Sequence, residues 1–213
     1  MKKGLLLIAF MILSVMIMAQ THLYENPQFD ELTKDHKIIG IVPLKTTVKL
    51  RPKDMKEMTP EQLRQLEINE GENIQFAMYS WFLKRKSAGK VGVDIQDVTT
   101  TNSLLKQNGI TADNIDTYQP ADLAKILGVD AVISGKFETS KPMSEGATVA
   151  LAVLVGVYGP TNKAVINLFI HNAADGQLLV NYHKEVSGSL GSSNEDLVNI
   201  LMRKASRRIT YTK

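Results

Sequence analysis

Asp122-Leu123-Ala124-Lys125-Ile126-Leu127-Gly128-Val129-Asp130-Ala131-Val132-Ile133-Ser134-Gly135 is the stretch that decides the fold. Pro120 to Leu127 reads as a short helix stopped by Gly128, which can end it in a left-handed conformation. Asp130-Ala131 then carries the chain into a buried strand, and Gly135 allows that strand to bend or to be approached closely. A helix delivered directly into an apolar strand is the unit of a sheet with helices packed over it.

Working outward, Lys37-Ile38-Ile39-Gly40-Ile41-Val42-Pro43-Leu44 is a β-branched run ended by proline, suited to a strand buried on both faces. Thr59-Pro60-Glu61-Gln62 carries a capping box with proline at the first helical position. The spacing predicts a long helix from there, with Leu63, Leu66, Ile74, Ala77 and Trp81 on one stripe, a disturbance at Gly71, and an end near Lys84-Arg85-Lys86. Val91, Val93 and Ile95 alternate with polar residues as a strand, and Ser103 to Asn108 with Gly109 is a short helix. Downstream, Ala164 to His171 and Leu178 to Val186 flank an Asp175-Gly176 turn, which predicts an antiparallel hairpin. Ser192 and Glu195 form a second capping box, opening a C-terminal helix whose stripe is Leu197, Ile200, Leu201, Ala205 and Ile209.

The expected fold class is therefore α/β: a single domain with a mixed sheet in two or three layers, its C-terminal hairpin followed by a helix. Domain limits are expected at 1–19 for a signal peptide, 20–36 for a flexible leader and 37–213 for the α/β domain. The signal reading rests on Lys2-Lys3, the apolar run Leu5 to Met18 and a small residue at Ala19, the expected cut. That run falls short of the roughly 18–20 residues that span a bilayer. Its removal takes Lys2 and Lys3 with it, so the formal charge of +3 falls to +1. A near-balanced charge argues against a nucleic-acid binder.

The chain has no cysteine, which excludes disulfides, thiolate catalysis, cysteine-ligated zinc and acylation as a bacterial lipoprotein. Four histidines are candidate metal ligands: His22, His36, His171 and His183. The first two fall in the expected leader. A symmetric turn over 173–176 sets His171 opposite Leu178 and His183 opposite Ile166, so no cluster forms, and neither a metal nor a cofactor is expected. No nucleophile elbow is present, and the glycine-serine stretch 187–193 lacks the Gly-Lys-Ser/Thr ending of a phosphate loop. Asp94, Asp97, Asp113, Asp116, Asp122 and Asp130 read as turn and cap residues, with a hydrolase centred on Asp94 and Asp97 kept as a third functional possibility.

Two surfaces stand out as candidates for interaction. Arg203, Lys204, Arg207 and Arg208 form two i,i+4 pairs, a basic stripe facing either solvent or an acidic partner or lipid surface. The uncharged run Ala147 to Tyr158 includes Val149, Leu151, Val153, Val155 and Val157. Three roles are open for it: core packing, which its length favours, contact with a subunit or partner, and membrane insertion.

Residues 122–135 resemble the helix, Leu-Gly, Asp-Ala, apolar strand, Gly signature of a bacterial envelope superfamily. That group contains the penicillin-binding-protein activator lipoproteins, the curli secretion channel protein and the N-terminal domain of TolB. Ile38 to Leu44 resembles the group's first strand, and Ala164 to Val186 its late hairpin. The resemblance implies work by protein binding or assembly, and this chain departs from it in having no cysteine to acylate. The expected function is that of a non-enzymatic, periplasmic or secreted envelope protein with an unidentified protein partner, accessory to cell-wall or outer-membrane assembly. The alternative is a subunit of an oligomeric secretion or pore complex.

Overall fold

A computed structural model describes residues 21–50, 55–140, 163–187, 194–209 and 211. The expected signal peptide and the run 147–158, with Val149, Leu151, Val153, Val155 and Val157, lie outside the described residues.

The described residues begin with β1 (Thr21–Glu25), a short helix α1 (Phe29–Thr33), β2 (Ile38–Ile41) and β3 (Lys45–Val48). The long helix α2 (Pro60–Ser87), β4 (Asp94–Ile95), α3 (Val98–Gln107) and α4 (Pro120–Leu127) follow. Then come β5 (Ala131–Thr139), β6 (Lys163–Asn172), β7 (Leu178–Ser187) and α5 (Asn194–Arg208). The seven strands form one mixed sheet in the order β1-β7-β6-β5-β2-β4, with β3 also paired to β5. β2, β3, β4 and β5 run parallel, and β5, β6, β7 and β1 run antiparallel. This is the α/β mixed sheet that the sequence predicts.

The local signals act as expected at several joints. Thr59 Oγ1 accepts from Gln62 N–H at 3.2 Å while Gln62 Oε1 accepts from Thr59 N–H at 2.8 Å, completing the capping box. Gly128 ends α4 at φ 66°, the left-handed region. Asp130 Oδ2 then accepts the N–H groups of Lys37 at 2.6 Å and Ile38 at 2.9 Å, which staples the entrance of β5 to the entrance of β2.

Two helices, α2 and α5, form one layer on the first face of the sheet. Ile39, Ile41, Ala131, Ile133, Phe137, Ile166, Leu168, Ile170, Val180 and Tyr182 meet Ile74, Met78 and Phe82 of α2 and Val198, Leu201, Met202 and Ala205 of α5. α2 buries Leu66, Glu70, Ile74, Met78 and Phe82, one residue to the side of the stripe drawn through Ala77 and Trp81, which are only half-buried. On the second face, α3 and α4 bury Leu105, Leu123, Ala124 and Leu127 against Val42 and Val132. The molecule has three layers across β2 and β5. Among the described residues no helix covers the second face over β7 and β1, so that half has two layers.

Four expectations are corrected. Residues 21–36 are not a flexible leader, because β1 pairs antiparallel with β7 from Thr21↔Lys184 to Glu25↔Val180, and Phe29 is buried in the core. The strand expected over 91–95 shrinks to Asp94–Ile95, Val91 and Val93 filling the core from a loop, while the helix expected from Ser103 starts earlier, at Val98. Finally, the hairpin register is not symmetric. It slips between Ile170↔Val180 and His171↔Leu178, leaving Leu179 as a bulge, and this sets His183 opposite Asn167 rather than Ile166.

Candidate functional site

Side chains alternate between faces along each strand, so the pairing register decides which of them share the uncovered half. One row runs Ser134, Phe169, Asn181, Tyr24 across β5, β6, β7 and β1. The neighbouring row runs Lys136, Asn167, His183, His22. Ser134, Asn167, Phe169, His171, Asn181 and His183 are half-buried, and Lys136, Tyr24 and His22 are exposed. The result is a flat platform with two aromatic rings, three imidazoles and two amides, flanked by one lysine.

The bulge at Leu179 is what builds this surface. It shifts β7 by one residue, so that His183 stands across from Asn167 and donates from Nδ1 to Asn167 Oδ1 at 2.6 Å. His22 then lies across from His183, with ring centroids 5.9 Å apart and tilted by 37°. His171 packs 6.3 Å from the Phe169 ring, and burial pushes its imidazole below the ordinary value. Its Nδ1 and Asn181 Oδ1 meet no hydrogen-bond partner among the described residues. Both atoms are shielded from solvent, so neither is presented at the surface of the platform.

The carboxylates weighed as acid–base candidates all have local work. Asp97 Oδ1 accepts from Thr99 N–H at 2.9 Å and Thr100 N–H at 3.2 Å, capping α3. Asp94 pairs with Lys86, Asp113 with Arg64, and Asp122 with Lys125 at 3.8 Å. Asp116 pairs with Lys45, and the hydrogen bond from that ammonium holds its carboxyl below the ordinary range. Burial pushes the Asp130 carboxyl up, but the N–H groups of Lys37 and Ile38 and the charges of His36 and Lys37 outweigh it and leave it below the ordinary value. His36 Nδ1 and the Tyr211 hydroxyl are hydrogen-bonded over 2.7 Å, and burial and the Asp130 charge push that phenol above its ordinary value. Among the described residues no group of three histidine, aspartate or glutamate side chains is arranged to hold a metal ion.

Of the surfaces singled out in the sequence, Arg203, Lys204 and Arg207 are exposed on α5, and the side chain of Arg208 is not among those described. α5 packs on the first face, so the basic stripe lies across the sheet from the platform. Sequence reasoning missed the platform for two reasons. His22 and Tyr24 fall in the expected leader, and a symmetric turn sets His183 opposite Ile166, where the bulge sets it opposite Asn167. The alternation of Val165, Asn167, Phe169 and His171 with buried apolar residues was the signal available.

No protein-family model matches the chain, and no curated protein matches it in sequence. Several solved structures are similar in fold. The PelC dodecamer from Paraburkholderia phytofirmans is 11% identical with a TM-score of 0.44, over 89% of this chain and 96% of that one. Lipoprotein GNA1162 from Neisseria meningitidis is 17% identical with a TM-score of 0.47, over 81% and 97%. The LpoB C-terminal domain from Salmonella enterica is 12% identical with a TM-score of 0.34, over 76% and 94%. At such values the likeness concerns the course of the chain and not what it binds. No described helix is long and apolar enough to cross a membrane.

Proposed function

We propose that this protein is a non-enzymatic, exported component of the bacterial envelope that binds another envelope protein through the uncovered half of its sheet. The observation that carries the reading is the platform itself. Tyr24 and Phe169 offer aromatic area, and the histidines and amides around them offer hydrogen bonds, on a rigid sheet that no described helix covers. Aromatic side chains in a hydrogen-bonding surround are the usual composition of a protein-binding patch. The carboxylates that would serve a hydrolase are engaged in caps and ion pairs, which supports binding over catalysis. The apolar run before Ala19 supports export.

The test compares wild type with Phe169→Asp in affinity capture from native envelopes, read by mass spectrometry. Phe169 is half-buried on the platform, so an aspartate there reaches water and leaves the core in place. The proposal expects a protein captured by wild type and lost with the variant, both being exported and folded. Equal capture by the two proteins would overturn it.

A further inference from the structure

The uncovered half of the sheet brings together two histidines that lie far apart in the chain. His22 of β1 and His183 of β7 are direct partners in the antiparallel ladder, so their side chains leave the sheet on the same face. Their ring centroids are 5.9 Å apart, with the planes tilted by 37°. An imidazole that holds a metal ion through Nε2 at about 2.1 Å has its ring centre about 3.2 Å from that ion. One ion therefore bridges two rings whose centres are about 5.2–6.4 Å apart, from a tetrahedral angle to a linear one. The separation of His22 and His183 lies inside that range and needs no backbone movement.

The state of His183 is an independent observation pointing the same way. Its Nδ1 is hydrogen-bonded to Asn167 Oδ1 at 2.6 Å, and an amide oxygen only accepts, so the proton sits on Nδ1. The lone pair of the neutral ring is then on Nε2, the nitrogen that this bond does not use. A hydrogen bond behind a ligating imidazole is the usual means of fixing its tautomer and ring orientation. His22 is exposed, so its ring adjusts to an incoming ion without disturbing the core. We infer that His22 and His183 form a two-histidine site for a borderline divalent metal ion of the Zn²⁺ type, which fastens β1 to β7. Neutral imidazoles suit Zn²⁺, Cu²⁺ or Ni²⁺, whereas Mg²⁺ and Ca²⁺ prefer oxygen. Among the described residues no third histidine, aspartate or glutamate completes the set, so water takes the remaining positions.

The bridge falls where the sheet has most use for one. β1 is the outermost strand on its side and all five of its side chains are exposed, so its place rests largely on the backbone ladder with β7. Asn26 N–H donates to Leu179 O at 2.8 Å, and by alternation the N–H groups of Tyr24 and His22 face β7 in the same ladder. A bound ion adds a tie between the side chains of one residue pair in that ladder. Tyr24 lies two residues further along β1 on the same face, in the platform row with Asn181 and Phe169. Fastening β1 therefore holds Tyr24 in its row. The metal site itself stands on the two histidines and does not depend on the platform's binding a partner.

The experiment titrates the untagged chain, freed of metal by a chelator, with Zn²⁺ alone, and reads the heat of binding and the NMR signals of the imidazole nitrogens. One Zn²⁺ per chain should bind with a dissociation constant of about 100 µM or below, far weaker than a four-ligand structural site. Nε2 of His22 and Nε2 of His183 should shift together, with Nδ1 of His183 still protonated. His22→Ala, His183→Ala and Asn167→Ala should each raise the dissociation constant at least about tenfold, and His36→Ala should leave it unchanged. Solvent exchange of the Tyr24 amide should slow on adding Zn²⁺ to wild type, and not in His22→Ala. The absence of saturable binding up to about 1 mM would overturn the inference. So would shifts confined to one of the two imidazoles, an affinity indifferent to His183→Ala, or Tyr24 exchange indifferent to Zn²⁺. Should His183→Ala unfold the domain, the paired Nε2 shifts of wild type decide alone.

Discussion

Gly71→Ala separates helix propensity from packing by the sign of its effect. Gly71 lies inside α2, where alanine is favoured over glycine by about 1 kcal/mol. Propensity alone therefore predicts a more stable protein. The structure predicts the reverse, because an alanine Cβ at 71 would sit 2.2 Å from Leu44 O. That oxygen belongs to the backbone between β2 and β3, and Leu44 N–H in turn donates to Gly71 O at 3.4 Å. Neither side of this contact is the free end of a side chain. Restoring van der Waals separation needs a shift of about 1 Å between α2 and the sheet. Overpacking of this kind costs about 1–3 kcal/mol, and the propensity gain offsets about 1, leaving a net loss of up to about 2 kcal/mol. For a chain of this size each kcal/mol moves Tm by about 2–4 °C. Thermal unfolding by circular dichroism should show Tm lowered by several degrees. A Tm raised by Gly71→Ala would refute the close approach of α2 to Leu44.

Gly128→Val should destabilise by about 1–3 kcal/mol through backbone strain alone, since φ is 66° and no atom stands within 4 Å of the added Cβ. Chemical denaturation with an unchanged midpoint would contradict the left-handed helix end. Asp97→Ala removes the cap that accepts two N–H groups and should cost about 1 kcal/mol, whereas Asp97→Asn keeps an acceptor and should cost less. The paired Asp94→Asn, Asp97→Asn protein should keep its cellular role, and loss of function with the fold intact would favour a hydrolase. Asp130 is held below the ordinary carboxylate value, so its stabilisation is complete above the unfolded-state pKa and fades as pH falls through the folded one. Asp130→Asn should therefore lower stability at neutral pH and flatten the loss below about pH 4. A parallel pair of stability curves across that range would remove the carboxylate from its stapling role.

The parts of the fold legible in the sequence are those written by local chemistry. The capping box at Thr59, the helix stop at Gly128 and the turn at Asp175-Gly176 each name a backbone conformation with short-range cause. What escaped depends on partners distant in the chain. β1 shows no alternation because both of its faces meet solvent, and only the edge of β7 makes it a strand. β3 resumes pairing with β5 just past Pro43, too short and too threonine-rich to announce itself. The bulge at Leu179 carries no glycine or proline, and yet it moves His183 to its place beside Asn167. The platform was illegible for the same reason, since it is made by strand order and register, whereas the basic stripe of α5 is made by helical spacing alone.

The central claim, that the uncovered half of the sheet binds a protein partner, is tested most directly by photo-cross-linking in growing cells. A benzophenone amino acid is placed at His183, on the platform, and separately at Lys106, exposed on α3 over the covered half. Position 183 should yield an adduct with a distinct envelope protein, apart from any adduct between two copies of this chain, and position 106 should not. A partner adduct from Lys106 with none from His183 would contradict the account.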